Sequence, residues 1–251
     1  MPKYLETVKR REEEIGKVIQ VLEQRSQGFR TPKLVLIGGY ALRAYVPYNR
    51  ATRDCDFVVE HSGDNWNIET IKKWLSSYLS IQTIEVKGNY GYLRMIKPLG
   101  QLKNVKISLD IMEGEVRGRE KDDIVKLGEK FFKESEKADI VFGENKFKMY
   151  VPSYTDYLVL KLASGRPSDI RDIATLLWKK GMPKNIEKRI RQLIEERSLV
   201  ERKLEIIVEE ISNPNFVDSC RGTFASRDFG EKERLYVLKV LQKLQHTESS
   251  H

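Results

Sequence analysis

Leu34-Val35-Leu36-Ile37-Gly38-Gly39-Tyr40-Ala41-Leu42-Arg43 and, a few residues on, Arg50-Ala51-Thr52-Arg53-Asp54-Cys55-Asp56-Phe57-Val58-Val59 decide how this chain folds. An apolar run ends in two glycines, a short helical pattern follows, and two aspartates one residue apart open a second apolar run. Glycines at a strand-to-helix junction let backbone N–H groups approach a phosphate closely. Carboxylates spaced i, i+2 on a strand lie on one face and can share a hard cation. A phosphate cradle beside a metal pair points to phosphoryl or nucleotidyl transfer.

Working outward, residues 3–27 read as a helix with Leu5, Val8, Ile15, Val18, Ile19 and Leu22 on one face, ended by Gly28 and Pro32. Lys33–Ile37 reads as a buried strand and Asp54–Glu60 as a second one. Trp66 to Leu79 carries Ile68, Ile71, Leu75 and Leu79 on one helical stripe. Strands are expected at Ile81–Val86, Tyr90–Ile96 and Val105–Ile111, the first two joined by Lys87-Gly88-Asn89, a hairpin signal. In the last of these, Val105, Ile107, Leu109 and Ile111 alternate with Lys106, Ser108 and Asp110, so Asp110 faces away from the apolar stripe. Residues 113–137 are charged and ambiguous. A hairpin is expected around Gly143-Glu144-Asn145.

From Pro152 the pattern is helical, with helices at Tyr154–Ser164, Pro167–Lys180, Pro183–Glu210 and Lys232–Leu244, and prolines at three of the starts. Residues 211–229 form a connector with no assignable element. The expected architecture is therefore α+β. A mixed sheet with flanking helices fills residues 1–150, and a helical domain over 151–251 completes the active-site cleft.

Charge and composition narrow the class. Of 251 residues, 33% are charged and 40% hydrophobic, and the net charge is +8. That composition fits a globular protein and excludes a disordered one. No apolar run approaches the roughly 20 residues that span a membrane. The N-terminus has no signal-peptide core, and Cys55 and Cys220 lack metal or redox spacing, so a cytoplasmic setting is expected. Lys179 to Lys203 holds nine basic and four acidic residues. That segment is either a solvated helix face or a contact for a polyanion.

Three aspartates, Asp54, Asp56 and Asp110, could meet on neighbouring strands. Unpaired, each pair 4 Å apart would cost about 4 kcal/mol at an effective dielectric near 20. A divalent cation removes that cost, and oxygen-only ligands favour Mg²⁺ or Mn²⁺. In a two-metal arrangement one ion carries the triphosphate of an NTP and the other activates an acceptor hydroxyl. Asp110 could also take the acceptor's proton. Arg50 and Arg53 either bind phosphate or pair with Asp54 and Asp56. Arg43 reads as a surface helix residue, and His61 as a turn residue. Tyr90 and Tyr92 share a strand face and read as sheet packing, with base stacking as the alternative. Trp66, Trp74 and Trp178 read as packing anchors.

These elements together resemble the polymerase-beta-like nucleotidyltransferase superfamily and, within it, the AbiEii/MenT-type nucleotidyltransferases, toxins of toxin–antitoxin pairs. Ile37-Gly38-Gly39-Tyr40-Ala41-Leu42 resembles the Gly-Gly-x-Ala-Leu opening. Arg50-Ala51-Thr52-Arg53-Asp54-Cys55-Asp56-Phe57 resembles the Arg-x-Thr-x-Asp-x-Asp element. Lys161 through Asp172, with Arg166 and Asp169 between them, resembles the downstream Lys…Arg…Asp-x-x-Asp element. The wider superfamily has Gly-Ser where Gly38-Gly39 stands, so the serine's phosphate contact falls to backbone or another side chain.

The resemblance implies transfer of a nucleoside monophosphate from an NTP with release of pyrophosphate. It implies that Gly38, Gly39, Thr52, Arg53 and Lys161 hold the nucleotide. It further implies that Lys161 meets the triphosphate, and that Asp169 or Asp172 positions that lysine or supports the base. A protein antitoxin is the implied partner. The acceptor is expected to be RNA, such as a tRNA 3′ end. The alternatives are a nucleotide- or RNA-binding module without turnover and an antibiotic-type nucleotidyltransferase acting on a small molecule.

Overall fold

The computed structural model describes residues 3–46, 52–61, 63, 65–100, 105–118, 120, 123–224 and 228–249. Arg50 lies outside them. The chain divides into two compact units: Met1–Ala44, Ala51–Val116 and Leu127–Pro152 form one, and Tyr45–Arg50, Arg117–Lys126 and Ser153–His251 form the other.

The first unit is built on a mixed sheet. Its strands are β1 (Leu34–Ile37), β2 (Asp54–Val59), β3 (Ser80–Lys87), β4 (Tyr90–Pro98), β5 (Lys106–Glu113), β8 (Glu136–Phe142) and β9 (Asn145–Val151), while the short β6 (Glu115–Arg117) and β7 (Ile124–Lys126) pair only with each other. The seven-stranded order is β3-β4-β5-β2-β1-β9-β8. β2 runs parallel to β5 and β1 parallel to β9; the other pairs are antiparallel. Edge strand β3 is exposed along its whole length.

Two helices, α1 (Lys3–Arg25) and α3 (Asn67–Leu75), bury Ile15, Val18, Ile19, Leu22, Ile68, Ile71 and Leu75. The cross-strand register puts Leu93, Ile111, Phe57 and Leu36 on one sheet face in successive strands, all at 0% exposure. Removing such side chains from water is the main favourable term in folding, roughly 1.5–3 kcal/mol for each. Glu113, at the end of β5 on this same face, is fully buried. Its carboxylate accepts from the backbone N–H groups of Asn67 (3.1 Å) and Ile68 (3.0 Å), which are orphan donors of the first turn of α3. His61, expected as a plain turn residue, lies 2.7 Å from the same carboxylate through Nδ1.

Arg43 departs from expectation. Its side chain is only 11% exposed; the guanidinium pairs with Glu12, donates to the carbonyl of Val141 and lies over the Tyr40 ring. The short helix α2 (Gly38–Ala41) and the 3-10 turn Leu42–Ala44 are too brief to keep a solvated face. Arg43 therefore ties that turn to α1 and β8. A further short helix, α4 (Glu129–Lys133), resolves part of the ambiguous 113–137 stretch and buries Phe131 and Phe132.

The second unit is helical: α5 (Tyr154–Ser164), α6 (Pro167–Lys180), α7 (Ile186–Leu193), α8 (Arg197–Ser212), α9 (Phe216–Phe224) and α10 (Glu231–Ser249). Ser153 caps α5 by accepting from the Asp156 N–H at 3.2 Å, and Gly165 ends the helix in the left-handed region. The single helix expected over 183–210 is in fact two. Ile190, Leu193, Val200, Leu204, Ile207 and Ile211 keep one 3.6-residue stripe, which is why a single helix is expected, and only Leu199 falls off it. The backbone resets through extended conformations at Ile194 and Glu196. The unassigned connector holds α9, and Phe216, Trp178 and Phe229 meet edge to face around it.

Buried ion pairs tie this unit together. Arg189 binds both oxygens of Asp156, and Asp123 accepts from Arg202 and Lys203, each at 2.8 Å. Among the described residues no helix is long and apolar enough to cross a membrane.

Candidate active site

The register of three strands builds the acidic site in the first unit. Asp56 of β2 lies directly beside Asp110 of β5, and Asp54 beside Ser108. On the other side of β5, Asp110 is opposite Arg94 of β4. Because alternate residues of a strand share a face, Asp54, Asp56, Ser108, Asp110, Arg94 and Tyr92 all belong to the face opposite the α1–α3 layer. Parallel pairing of β2 with β5 is what turns two sequence-distant aspartates into neighbours.

Each carboxylate has its own surroundings. Asp54 is exposed, and its Oδ1 accepts a hydrogen bond from the Ser108 hydroxyl. Asp56 is half-buried, with Oδ2 turned toward Gly38. Gly38 has φ +67°, and a Cβ placed on it would fall 1.9 Å from that oxygen. Asp110 is 9% exposed. Burial pushes its carboxyl above the usual range; Arg94 pulls against that, and Asp54 adds to it. The Tyr92 hydroxyl is held high by burial and by its negative neighbour Asp110. Arg94 Nε lies 2.9 Å from Asp110 Oδ1. The two charges are close but misaligned, and neither of these buried atoms completes a hydrogen bond.

Thr52 is half-buried and donates through its hydroxyl to the carbonyl of Asp54 at 3.3 Å; Arg53 is exposed. Gly39 is buried at the start of α2. Tyr90 and Tyr92 stack with centroids 6.1 Å apart and planes 10° from parallel.

Lys161 and its acidic partners lie in the second unit. Lys161 Nζ donates to Asp169 at 2.6 Å and to Asp172 at 2.7 Å, and Ser164 donates to the other oxygen of Asp169 at 2.6 Å. All three charged side chains are buried. Burial alone would lower the lysine's pKa, but Tyr157 and the two aspartates reverse this and hold its ammonium above the ordinary range. Burial likewise works against Asp169, and Lys161 more than offsets it, holding that carboxyl low. The turn at Gly165 and Pro167 folds α6 back on α5. That turn, not a continuous helix, brings residues 161, 169 and 172 together.

Ser108 and Arg94 are not singled out by sequence reasoning as site residues, and Tyr92 is read there as sheet packing with base stacking as the alternative. Ser108 and Arg94 sit at polar positions of alternating strands, but only the strand order reveals that they border the aspartates.

A divalent cation can be tested against this geometry. Among the described residues no three His, Cys, Asp or Glu side chains converge closely enough to form a ready cage. The donors are nevertheless all hard oxygens on one face, and Asp110 Oδ1 is a buried acceptor with no hydrogen bond. Asp54 and Asp56 with Asp110 beside them suit Mg²⁺ or Mn²⁺.

The Gly-Gly junction and the aspartates of β2 and β5 lie in the first unit as the sequence resemblance leads one to expect. The family model described as "Nucleotidyl transferase AbiEii toxin, Type IV TA system" matches residues 20–237. The chain belongs to this AbiEii family of nucleotidyl transferase toxins. Among solved structures it is similar to MenT4, a nucleotidyltransferase toxin from Mycobacterium tuberculosis, at 15% identity over 94% of this chain and 85% of that one, with a TM-score of 0.46. It is also similar to JHP933 from Helicobacter pylori, at 13% identity over 94% and 92%, with a TM-score of 0.42. No curated protein matches it.

Proposed function

We propose that this nucleotidyltransferase moves a nucleoside monophosphate from an NTP to an RNA hydroxyl, such as a tRNA 3′ end, with Mg²⁺ or Mn²⁺ held by Asp54, Asp56 and Asp110. The observation that carries the reading is the β2–β5 register, which sets Asp56 against Asp110 on the face that also bears Asp54. Bound cations would supply charge neutralisation at the triphosphate and at the attacking oxygen. The new bond joins the acceptor oxygen to the α-phosphorus, and the bond from that phosphorus to pyrophosphate breaks. Asp110 takes the acceptor's proton. Gly38 and Gly39 would offer backbone N–H groups to the phosphates, and Thr52 and Arg53 stand just ahead of β2. Roles for Lys161 and Asp172 in the reaction rest on the family resemblance; the geometry supports Asp169 and Asp172 as the groups that position the lysine. RNA as acceptor is favoured by the net charge of +8 and by the basic segment 179–203. The type IV toxin–antitoxin family supports a protein antitoxin as partner.

The test is incubation with each α-³²P-labelled NTP and total RNA, with and without EDTA, resolved on a gel. The reading expects a labelled RNA band that EDTA abolishes. Label on a small molecule instead would mark an antibiotic-type enzyme. Mg²⁺-dependent NTP binding with no product would mark a module without turnover.

A further inference from the structure

We propose that Arg94 is a positioning residue that sets how tightly the acidic trio takes up a divalent cation, by competing with that cation for Asp110. The inference rests on the metal-dependent reading above and concerns this chain's own electrostatics. Arg94 reaches Asp110 from the neighbouring strand, 2.9 Å from Nε to Oδ1, on the same sheet face as Asp54 and Asp56. Its side chain is 35% exposed against 13% for Asp110, so it has solvent into which it can withdraw.

The contact is made for release. Arginine forms its strongest carboxylate pairs as a two-pronged fork with aligned N–H groups. Arg189 and Asp156 in the second unit show that arrangement, with Nε and Nη2 each donating to one oxygen. Arg94 does not: its Nε faces Asp110 Oδ1 at short range without completing a hydrogen bond, and that oxygen stays unsatisfied. A guanidinium and a divalent cation that meet at the same carboxylate oxygen repel each other. A cation taken up at Oδ1 therefore works against Arg94, and a loosely directed pair costs less to displace than a fork. The free site keeps its inner carboxylate neutralised, and cation uptake is weaker than the trio alone would give.

The experiment is Mn²⁺ titration of the full chain without nucleotide, followed by the EPR signal of free Mn²⁺. Arg94→Gln is expected to bind Mn²⁺ about tenfold more tightly than the wild type, the effect of removing one competing charge. Arg94→Lys retains the charge and serves as a second variant should the glutamine variant fold poorly; it is expected to stay within about twofold of the wild type. In an Asp110→Asn background the Arg94→Gln gain should vanish, because the contested oxygen has lost its charge. Equal or weaker Mn²⁺ binding by Arg94→Gln would overturn the inference while leaving the metal site standing, provided Asp56→Asn still weakens binding. A gain that persists with Asp110→Asn would overturn it too, by showing a general field effect. No Mn²⁺ binding by wild type or variant would sink both the inference and the metal-dependent reading.

Discussion

Gly38 lies so close to Asp56 that a single added Cβ would fall 1.9 Å from the Oδ2 of that carboxylate. Gly38, expected from the sequence to cradle phosphate, thus has a structural duty. It leaves room for the aspartate eighteen places along to sit beside Asp110, in a backbone conformation, φ +67°, that L side chains rarely adopt. Gly38→Ala is expected to destabilise the fold by about 1–2 kcal/mol. By shifting Asp56, it should also lower kcat/KM for nucleotide transfer at least ~100-fold. Gly28→Ala is the control: its φ is +75°, but no atom lies within 4 Å of the added Cβ. It should show the loss in Tm without the loss in activity.

Lys161 is surrounded by acid. Replacing it with methionine takes the ammonium away from the buried carboxylates of Asp169 and Asp172, a change expected to cost about 3–5 kcal/mol at neutral pH. The sign with pH distinguishes this from a packing defect. In the wild type, Asp169 has a lowered folded-state pKa. Its contribution is fully present above the unfolded value near 4 and is lost as pH falls through the folded one. The raised pKa of Lys161 adds stability that is present below the unfolded lysine value near 10.5 and is lost as pH rises through the folded one. In Lys161→Met burial instead raises the Asp169 carboxyl, so the penalty should shrink as pH is lowered from 7 toward 5. Thermal melts across that range measure it; a penalty independent of pH would count against the ion-pair account.

Glu113 is a stability residue on the face of the sheet away from the aspartates. It caps α3 with two backbone hydrogen bonds and meets His61. Glu113→Ala strands those donors and should cost about 2 kcal/mol. With substrate saturating at a temperature where the variant is folded, kcat should stay within about twofold of wild type, since fold-only losses act through the unfolded fraction. Urea unfolding and initial rates check the two parts separately.

Much of this was legible in the sequence, for identifiable reasons. The apolar runs at 34–37 and 54–59, the Gly88 hairpin and the proline-marked helices obey local rules that tertiary packing did not override. Asp110 could be given a face because its strand alternates cleanly. Its neighbours could not be named. Strand order is set by long-range packing, and only that order puts Arg94 and Ser108 against the aspartates. Arg43 looked like a surface residue because nothing local shows that Glu12 and the Val141 carbonyl await it. The break between α7 and α8 was hidden because Leu193, Val200 and Leu204 keep the helical period across it, with neither glycine nor proline to mark it.

The central claim is that Asp54 and Asp56, beside Asp110, carry nucleotide transfer. Its most direct test is label transfer from α-³²P-NTP to RNA by wild type, Asp54→Asn and Asp56→Asn, with circular dichroism confirming that each is folded. The account predicts transfer by the wild type and a loss of at least about a thousandfold in either variant. Transfer at the wild-type rate by folded Asp56→Asn would contradict it.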